Sequence, residues 1–224
     1  MKSLTQTPQG VLFDLDGTLL DSAPDLHAAL VAYCGEVGAA VPPYAMVREV
    51  VSRGSRAILR CAFDESDDDL LERMPRYLEL YHSMMSRHTR PFEGIEALLD
   101  ALEANGLAWG IVTNKPGYLT DELVRQIGWS DRARAVISGD TLPVRKPDPA
   151  PVLLACERAG LDPAHCLFVG DDRRDIEAGN GAGLYSVAVH WGYLDGGDPY
   201  VWGADVVVEH PRQLAELLKL KVVA

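Results

Sequence analysis

The chain has 224 residues and is 47% hydrophobic, which suffices to bury the core of one ordinary domain plus a smaller one. Its 33 acidic residues outnumber its 21 basic residues, and the formal net charge of -12 opposes the phosphate contacts of nucleic-acid binding. No apolar stretch approaches the ~20 residues of a membrane span, and none before Val11 has the length of a signal peptide. We therefore expect a cytoplasmic globular protein without a nucleic-acid or membrane partner.

Short apolar runs that end at turn residues predict the strands of a buried parallel sheet. The runs are 11–13, 107–112, 135–138, 166–169, 185–189 and, more weakly, 205–208. Helical patterns lie between them, and one of these stops at Asn105 and Gly106, which are typical residues at a helix C-terminus. Alternating strands and helices predict an α/β domain with helices on both faces of the sheet. In such a domain the functional site lies beyond the carboxyl ends of the strands.

One long segment, residues 22–90, interrupts this alternation, because it shows helical periodicity and no convincing strand. We predict a small helical domain over 22–90, inserted into a core domain formed by 1–21 and 91–224. Ser22 is expected to cap the first helix of the insertion. Pro75 lies inside the last helical pattern and predicts a kink or a break there.

Two carboxylates, Asp14 and Asp16, follow the first predicted strand one residue apart. They can do different work if a divalent cation neutralises one and the turn orients the other. Asp14 would then be a metal ligand and a nucleophile that accepts a phosphoryl group, and Asp16 a general acid and base. Gly17 allows a tight turn after the pair. A strand-ending turn without chemistry is the alternative that this motif alone leaves open.

Polar residues at the other strand ends favour the chemical interpretation. Thr113 and Asn114 follow the second long apolar run and suit a phosphate oxygen. Lys146 precedes a proline and would offset charge on a transferring phosphoryl group. Asp171 is the best second ligand for Mg²⁺, which takes one or two carboxylates. Asp175, one helical turn further on, faces the same water shell.

In this order, the motifs resemble the four motifs of the haloacid dehalogenase superfamily, in particular its phosphatases with a helical cap after the first motif. The matching segments are Asp-Leu-Asp-Gly-Thr from residue 14, the Thr of Val-Thr-Asn, Lys-Pro from residue 146, and Gly-Asp-Asp-x-x-Asp from residue 170. The resemblance covers essentially the whole chain. It implies a Rossmann-like parallel-sheet core with an α-helical cap, and a Mg²⁺-dependent phosphomonoesterase that forms an aspartyl-phosphate.

The resemblance also implies a role for each motif residue. Asp14 would be the nucleophile and Asp16 the acid and base, while Thr113 and Lys146 would bind phosphate. The Mg²⁺ ligands would be Asp14, Asp171 and the backbone carbonyl of Asp16, with Asp175 holding a water of the metal's shell. Asp172 stands where the family varies and is assigned a supporting role at most.

Two groups of these phosphatases resemble the chain. The cap type is similar to that of phosphoglycolate phosphatases, whereas segments 109–116, 167–179 and 202–211 resemble bacterial N-acetylmuramic acid 6-phosphate phosphatases of cell-wall recycling. The substrates of both groups are small phosphorylated acids, and we prefer N-acetylmuramic acid 6-phosphate as the substrate. Arg53 and Arg56 in the insertion are predicted to pair with the substrate carboxylate, although solvated arginines in a turn are an equal alternative.

Other readings remain open at this point. A phosphomutase shares all four motifs, and a receiver domain or a binding protein without activity would also gather these residues at one sheet edge. The long insertion and the Asp16 acid favour turnover. The aromatic segment 191–202 either lines the cleft or, by preference, packs over the sheet edge. The sequence does not determine the oligomeric state.

Overall fold

The computed structural model describes residues 8–220. The amino-terminal part forms β1 (Gly10–Phe13), β2 (Leu20–Asp21), α1 (Ala23–Val37), α2 (Tyr44–Glu49), α3 (Ser55–Arg60), α4 (Asp67–Met84) and β3 (Arg90–Pro91). The remainder forms α5 (Ile95–Ala104), β4 (Ala108–Val112), α6 (Gly117–Ile127), β5 (Val136–Ile137), α7 (Ala150–Ala159), β6 (Cys166–Gly170), α8 (Arg173–Gly181), β7 (Tyr185–Val189), β8 (Val206–Val208) and α9 (Pro211–Leu217). Among these described helices, none combines the length and apolar character that a membrane crossing requires.

Six strands form one parallel sheet in the order β5-β4-β1-β6-β7-β8. This confirms the predicted α/β fold, and each strand falls within or beside the apolar run that predicted it. The central strand β1 is buried along its whole length, as a parallel strand covered on both faces must be. Its last residue, Phe13, pairs in register with Ile111 and Val169. The segments that follow β1, β4 and β6 therefore leave the sheet at the same edge.

The segment between β2 and β3 folds as four α-helices, in which α4 packs against α1 and α3. Helix α4 runs through Pro75 without a break. The pairing of β2 with β3 was not predicted, because two-residue strands, one with a proline, carry no periodic signal. The division into a core domain (1–21 and 91–224) and a cap domain (22–90) stays a prediction.

The start of α1 differs from the prediction. Ser22 occupies the N-cap position, but its hydroxyl makes no capping bond and instead donates to the carboxylate of Asp16. The backbone N–H groups of Ser22 and Ala23 donate to the phenolic oxygen of Tyr193, at 2.8 and 2.9 Å. Since a distant tyrosine satisfies the helix terminus, the serine side chain is released to contact the predicted catalytic turn.

Candidate active site

Three of the predicted carboxylates form a buried cluster at the carboxyl edge of the sheet. One oxygen each from Asp14, Asp171 and Asp175 lies within 4.8 Å of the others. Burial raises the pKa of all three carboxyl groups above the ordinary value, and for Asp171 it does so to about 7, with the charge of Asp14 adding to the effect. Ionising all three carboxyl groups together is therefore unfavourable unless a cation offsets their charge.

Asp171 is held by donors from three separate parts of the chain. The Thr18 hydroxyl donates to it at 2.9 Å, the backbone N–H of Tyr193 at 3.0 Å, and the Ser52 hydroxyl at 3.0 Å. Gly17 turns the chain beside it with φ of +90°, and a Cβ there would stand 2.1 Å from a carboxylate oxygen of Asp171. The tight turn predicted at Gly17 is therefore required both by its backbone angle and by the close approach.

Lys146 lies inside the acidic cluster. Its ammonium group is 2.7 Å from an oxygen of Asp14, 2.7 Å from an oxygen of Asp175 and 2.7 Å from the carbonyl of Val112. Burial opposes its charge, but the two carboxylates outweigh that effect and raise the pKa of Lys146. Asn114 donates its amide to the Lys146 carbonyl at 3.0 Å, which positions the lysine backbone. The cation is fixed beside the predicted nucleophile.

Asp16 lies beside this cluster in a separate hydrogen-bond network. Its two carboxylate oxygens each accept from the ammonium of Lys115, at 3.2 Å. Lys115 also donates to the phenolic oxygen of Tyr81 in α4, at 2.9 Å. The sequence assigned no role to Lys115 or Tyr81; the position of Lys115 directly after the Val-Thr-Asn motif was the only signal. The structure thus connects the predicted acid and base to a helix of the insertion.

A cavity of about 310 Å³ opens above these groups. It brings together eight of the nine predicted site residues, Asp14, Asp16, Arg53, Arg56, Thr113, Asn114, Lys146 and Asp175, while Asp171 lies fully buried behind them. Thr113 is buried at the end of β4, and its hydroxyl accepts from the backbone N–H of Lys115 at 3.2 Å. The insertion contributes an apolar wall of Leu26, Val51, Ile58, Leu71, Met74 and Leu78.

The aromatic segment 191–202 contributes no lining residue to this cavity. The indole N–H of Trp191 donates to the carbonyl of Thr18 at 3.0 Å, and Tyr193 is buried with its hydroxyl donating to Asp21 at 2.9 Å. The preferred interpretation, a loop packed over the sheet edge, agrees with this arrangement. Its side chains support the turn after β1.

The donor set of the acidic cluster fits Mg²⁺. This ion takes oxygen ligands and is commonly bound through one or two carboxylates. The burial and mutual repulsion that raise the pKa values of Asp14, Asp171 and Asp175 are effects that a bound divalent cation offsets. The three carboxylates are close enough to share one ion after small side-chain adjustments.

A parallel sheet that presents an aspartate pair, a threonine, a lysine and further aspartates at one edge defines a haloacid dehalogenase type of site. Comparison with known proteins agrees, because residues 11–189 match the family model described as haloacid dehalogenase-like hydrolase. The chain belongs to this family. The predicted enzyme class, a phosphatase of the haloacid dehalogenase type, is confirmed by the relatives described next.

Two relatives show the similarity in sequence. The phosphoglycolate phosphatase of Xanthomonas campestris pv. campestris is 48% identical over 211 residues, which cover 93% of this chain and 96% of that protein. The N-acetylmuramic acid 6-phosphate phosphatase of Pseudomonas aeruginosa is 43% identical over 213 residues, which cover 94% of each chain. Both groups that the sequence resembled are therefore found among its relatives.

Solved structures show the same fold. A predicted phosphoglycolate phosphatase from Haemophilus somnus superposes with a TM-score of 0.85 at 25% identity, covering 95% of this chain and 99% of that one. A haloacid dehalogenase-like hydrolase from Bacteroides fragilis gives a TM-score of 0.81 at 22% identity, covering 92% and 99%. The match extends over the helical insertion as well as the sheet.

Proposed function

We propose that the protein is a Mg²⁺-dependent phosphomonoesterase that hydrolyses a small cytoplasmic metabolite through an aspartyl-phosphate on Asp14. The observation that carries this proposal is the position of Asp14. Its carboxylate lies 2.7 Å from the Lys146 ammonium, and both groups line the cavity together with Thr113 and Asp16. The cavity thus holds a nucleophile, a cation and a hydroxyl that can contact phosphoryl oxygens, and a separate acid.

In the first step an oxygen of Asp14 attacks the phosphorus, and the bond from phosphorus to the alcohol oxygen breaks. Asp16 donates its proton to that leaving oxygen. Lys146 and Thr113 contact the phosphoryl oxygens and offset the charge that develops there. The first products are the free alcohol and a phosphorylated Asp14.

In the second step a water molecule attacks the phosphorus, and Asp16, now a carboxylate, takes its proton. The bond between Asp14 and phosphorus breaks and inorganic phosphate leaves. When bound by Asp14, Asp171 and the backbone carbonyl of Asp16, with Asp175 beside them, Mg²⁺ supplies positive charge next to the phosphoryl oxygens. Lys115 and Ser22 orient Asp16 for both proton transfers through their hydrogen bonds to it.

The proposed substrate is N-acetylmuramic acid 6-phosphate. The cavity of about 310 Å³ lies within the size range of small-molecule sites, which suits a hexose phosphate better than a two-carbon acid. Its apolar wall offers a surface for the sugar ring and its substituents. The Pseudomonas aeruginosa relative carries this activity in its name. The second candidate is 2-phosphoglycolate, which the 48% identity to the Xanthomonas protein favours.

The substrate is tested by measuring kcat/KM for phosphate release from both compounds in the presence of Mg²⁺. We expect the sugar phosphate to be preferred by at least about tenfold, because its ring contacts the apolar cavity wall and a two-carbon acid is too short to make these contacts. A preference for 2-phosphoglycolate would instead identify the second candidate as the substrate.

Replacement Asp16→Asn is expected to lower kcat by about 10² to 10⁴, the usual contribution of a positioned general acid. The loss should be smaller for p-nitrophenyl phosphate than for an alkyl phosphate, because a good leaving group needs little protonation. Comparing kcat for the two ester types in wild type and variant measures this difference. Equal losses on both would contradict the role of Asp16 as the acid.

A further inference from the structure

Within residues 8–220, six cationic side chains line the cavity. They are Arg53, Arg56, Lys115, Arg145, Lys146 and Arg174. Five of them are already engaged by carboxylates of the protein. The pairs are Arg53 with Asp195, Arg56 with Asp67, Lys115 with Asp16, Lys146 with Asp14 and Asp175, and Arg174 with Asp172.

The sixth cation, Arg145, differs from the others. Its exposed side chain makes no hydrogen bond or ion pair to any residue within the described range 8–220. Its backbone is nevertheless well positioned, because its carbonyl accepts from the N–H of Asp148 at 3.0 Å. The next carbonyl, that of Lys146, accepts from Asn114 at 3.0 Å. An unpaired guanidinium therefore stands on an anchored turn, one residue from the lysine that contacts the nucleophile.

This difference matters for binding an anion. A substrate carboxylate that binds Arg53 or Arg56 competes with an aspartate that the arginine already contacts, and it gains only the difference. Arg145 keeps all five of its N–H donors available, and its planar fork matches a carboxylate with two parallel hydrogen bonds. It also places positive charge at the rim of a strongly acidic site, where an anionic substrate must enter.

We propose, on the basis of the proposed function, that Arg145 binds the carboxylate of the substrate and so selects phosphomonoesters that carry one. The phosphoryl group lies at Lys146 and Asp14, and the carboxylate extends along the cavity toward the neighbouring guanidinium. The loop between β5 and α7, which carries Arg145, thus contributes to substrate specificity. The sequence had assigned that role to Arg53 and Arg56 of the insertion. The roles of those two arginines stay predictions.

The test compares two sugar phosphates that differ only in the lactyl ether, the substituent that bears the carboxylate. N-acetylmuramic acid 6-phosphate carries it and N-acetylglucosamine 6-phosphate lacks it. We expect Arg145→Gln to reduce the ratio of their kcat/KM values by about 10- to 100-fold, the usual effect of removing a hydrogen-bonded charge. The change should appear mainly in KM, because the contact is equally strong in ground and transition states. Arg145→Lys should retain part of the ratio, because lysine keeps the positive charge, and lose the rest, because it lacks the planar fork.

Two kinds of control accompany this measurement. Arg134 is exposed and lies outside the cavity, so Arg134→Gln should leave the ratio at the wild-type value. Arg53→Gln and Arg56→Gln test the alternative readers directly. An unchanged ratio in Arg145→Gln, with a reduced ratio in either of these variants, would overturn the proposal in favour of the insertion.

A second pair of compounds separates this proposal from the choice of substrate. 2-Phosphoglycolate and ethyl phosphate also differ by a carboxylate. If wild type prefers 2-phosphoglycolate over the sugar phosphates and Arg145→Gln removes the preference over ethyl phosphate, the role of Arg145 holds although the proposed substrate fails. If wild type favours the carboxylate in neither pair, the role of Arg145 is overturned.

Discussion

Replacement Asp14→Asn is expected to reduce phosphatase activity by at least about 10⁴-fold, because the amide is a poor nucleophile and cannot form the aspartyl-phosphate. The fold should persist, since asparagine has nearly the same volume and Lys146 keeps its contacts to Asp175 and the Val112 carbonyl. The measurements are kcat with the preferred substrate, and acid-quench mass spectrometry of the peptide that contains residue 14.

A matched control is Asp140→Asn. Asp140 is an exposed carboxylate that follows β5 at the same sheet edge and accepts from the N–H of Gly117 at 2.8 Å, outside the acidic cluster. We expect this variant to retain turnover within a few-fold, as surface substitutions usually change stability only slightly. Substantial Mg²⁺-dependent turnover in Asp14→Asn, or a phosphorylated peptide elsewhere in the chain, would contradict the assignment of the nucleophile.

Removal of divalent cations with a chelator is expected to reduce kcat by at least about 10³-fold, and added Mg²⁺ should restore it. Three buried carboxyl groups share the single ammonium of Lys146, so ionising them beside an anionic phosphoryl group needs a further cation. Binding of Mg²⁺ to the folded protein should also raise its melting temperature in proportion to the logarithm of the free ion concentration.

The ligand assignment is checked by Asp171→Asn. This variant should need at least about 10- to 100-fold more Mg²⁺ for half-maximal activity and for the rise in melting temperature. The two readouts should shift together if Asp171 is a ligand. A melting temperature that does not respond to Mg²⁺ in the wild-type protein would argue against a metal site at this cluster.

Much of the fold was predictable, because buried parallel strands have short apolar runs in the sequence and the segments between them show helical periodicity. All six strands of the main sheet were found in this way. The β2–β3 pair was not, since two residues are too few to show alternation. Ser22 was misjudged as a cap because its two acceptors, Asp16 for the hydroxyl and Tyr193 for the backbone N–H, are brought to this helix start only by tertiary packing.

The sequence by itself determined which chemical groups follow the strands: Asp14 and Asp16 after β1, Thr113 after β4, and Asp171 after β6. Parallel strands in register bring their carboxyl ends to one edge, so these residues had to meet. Only the tertiary structure decided how the insertion contacts them. Lys115 links Asp16 to Tyr81, and Ser52 donates to Asp171, across sequence separations of 99, 34 and 119 residues.

The same distinction holds for the arginines of the cavity. Arg53, Arg56 and Arg145 are equivalent as residue types, and nothing in their local sequence shows which of them has a partner. Pairing depends on where the aspartates lie in space: Asp67 reaches Arg56 through the packing of α4 beside α3 within the insertion, and Asp195 reaches Arg53 from a loop of the sheet. Local patterns therefore predict the elements and the strand-end residues, whereas the availability of a charged side chain is a property of the assembled fold.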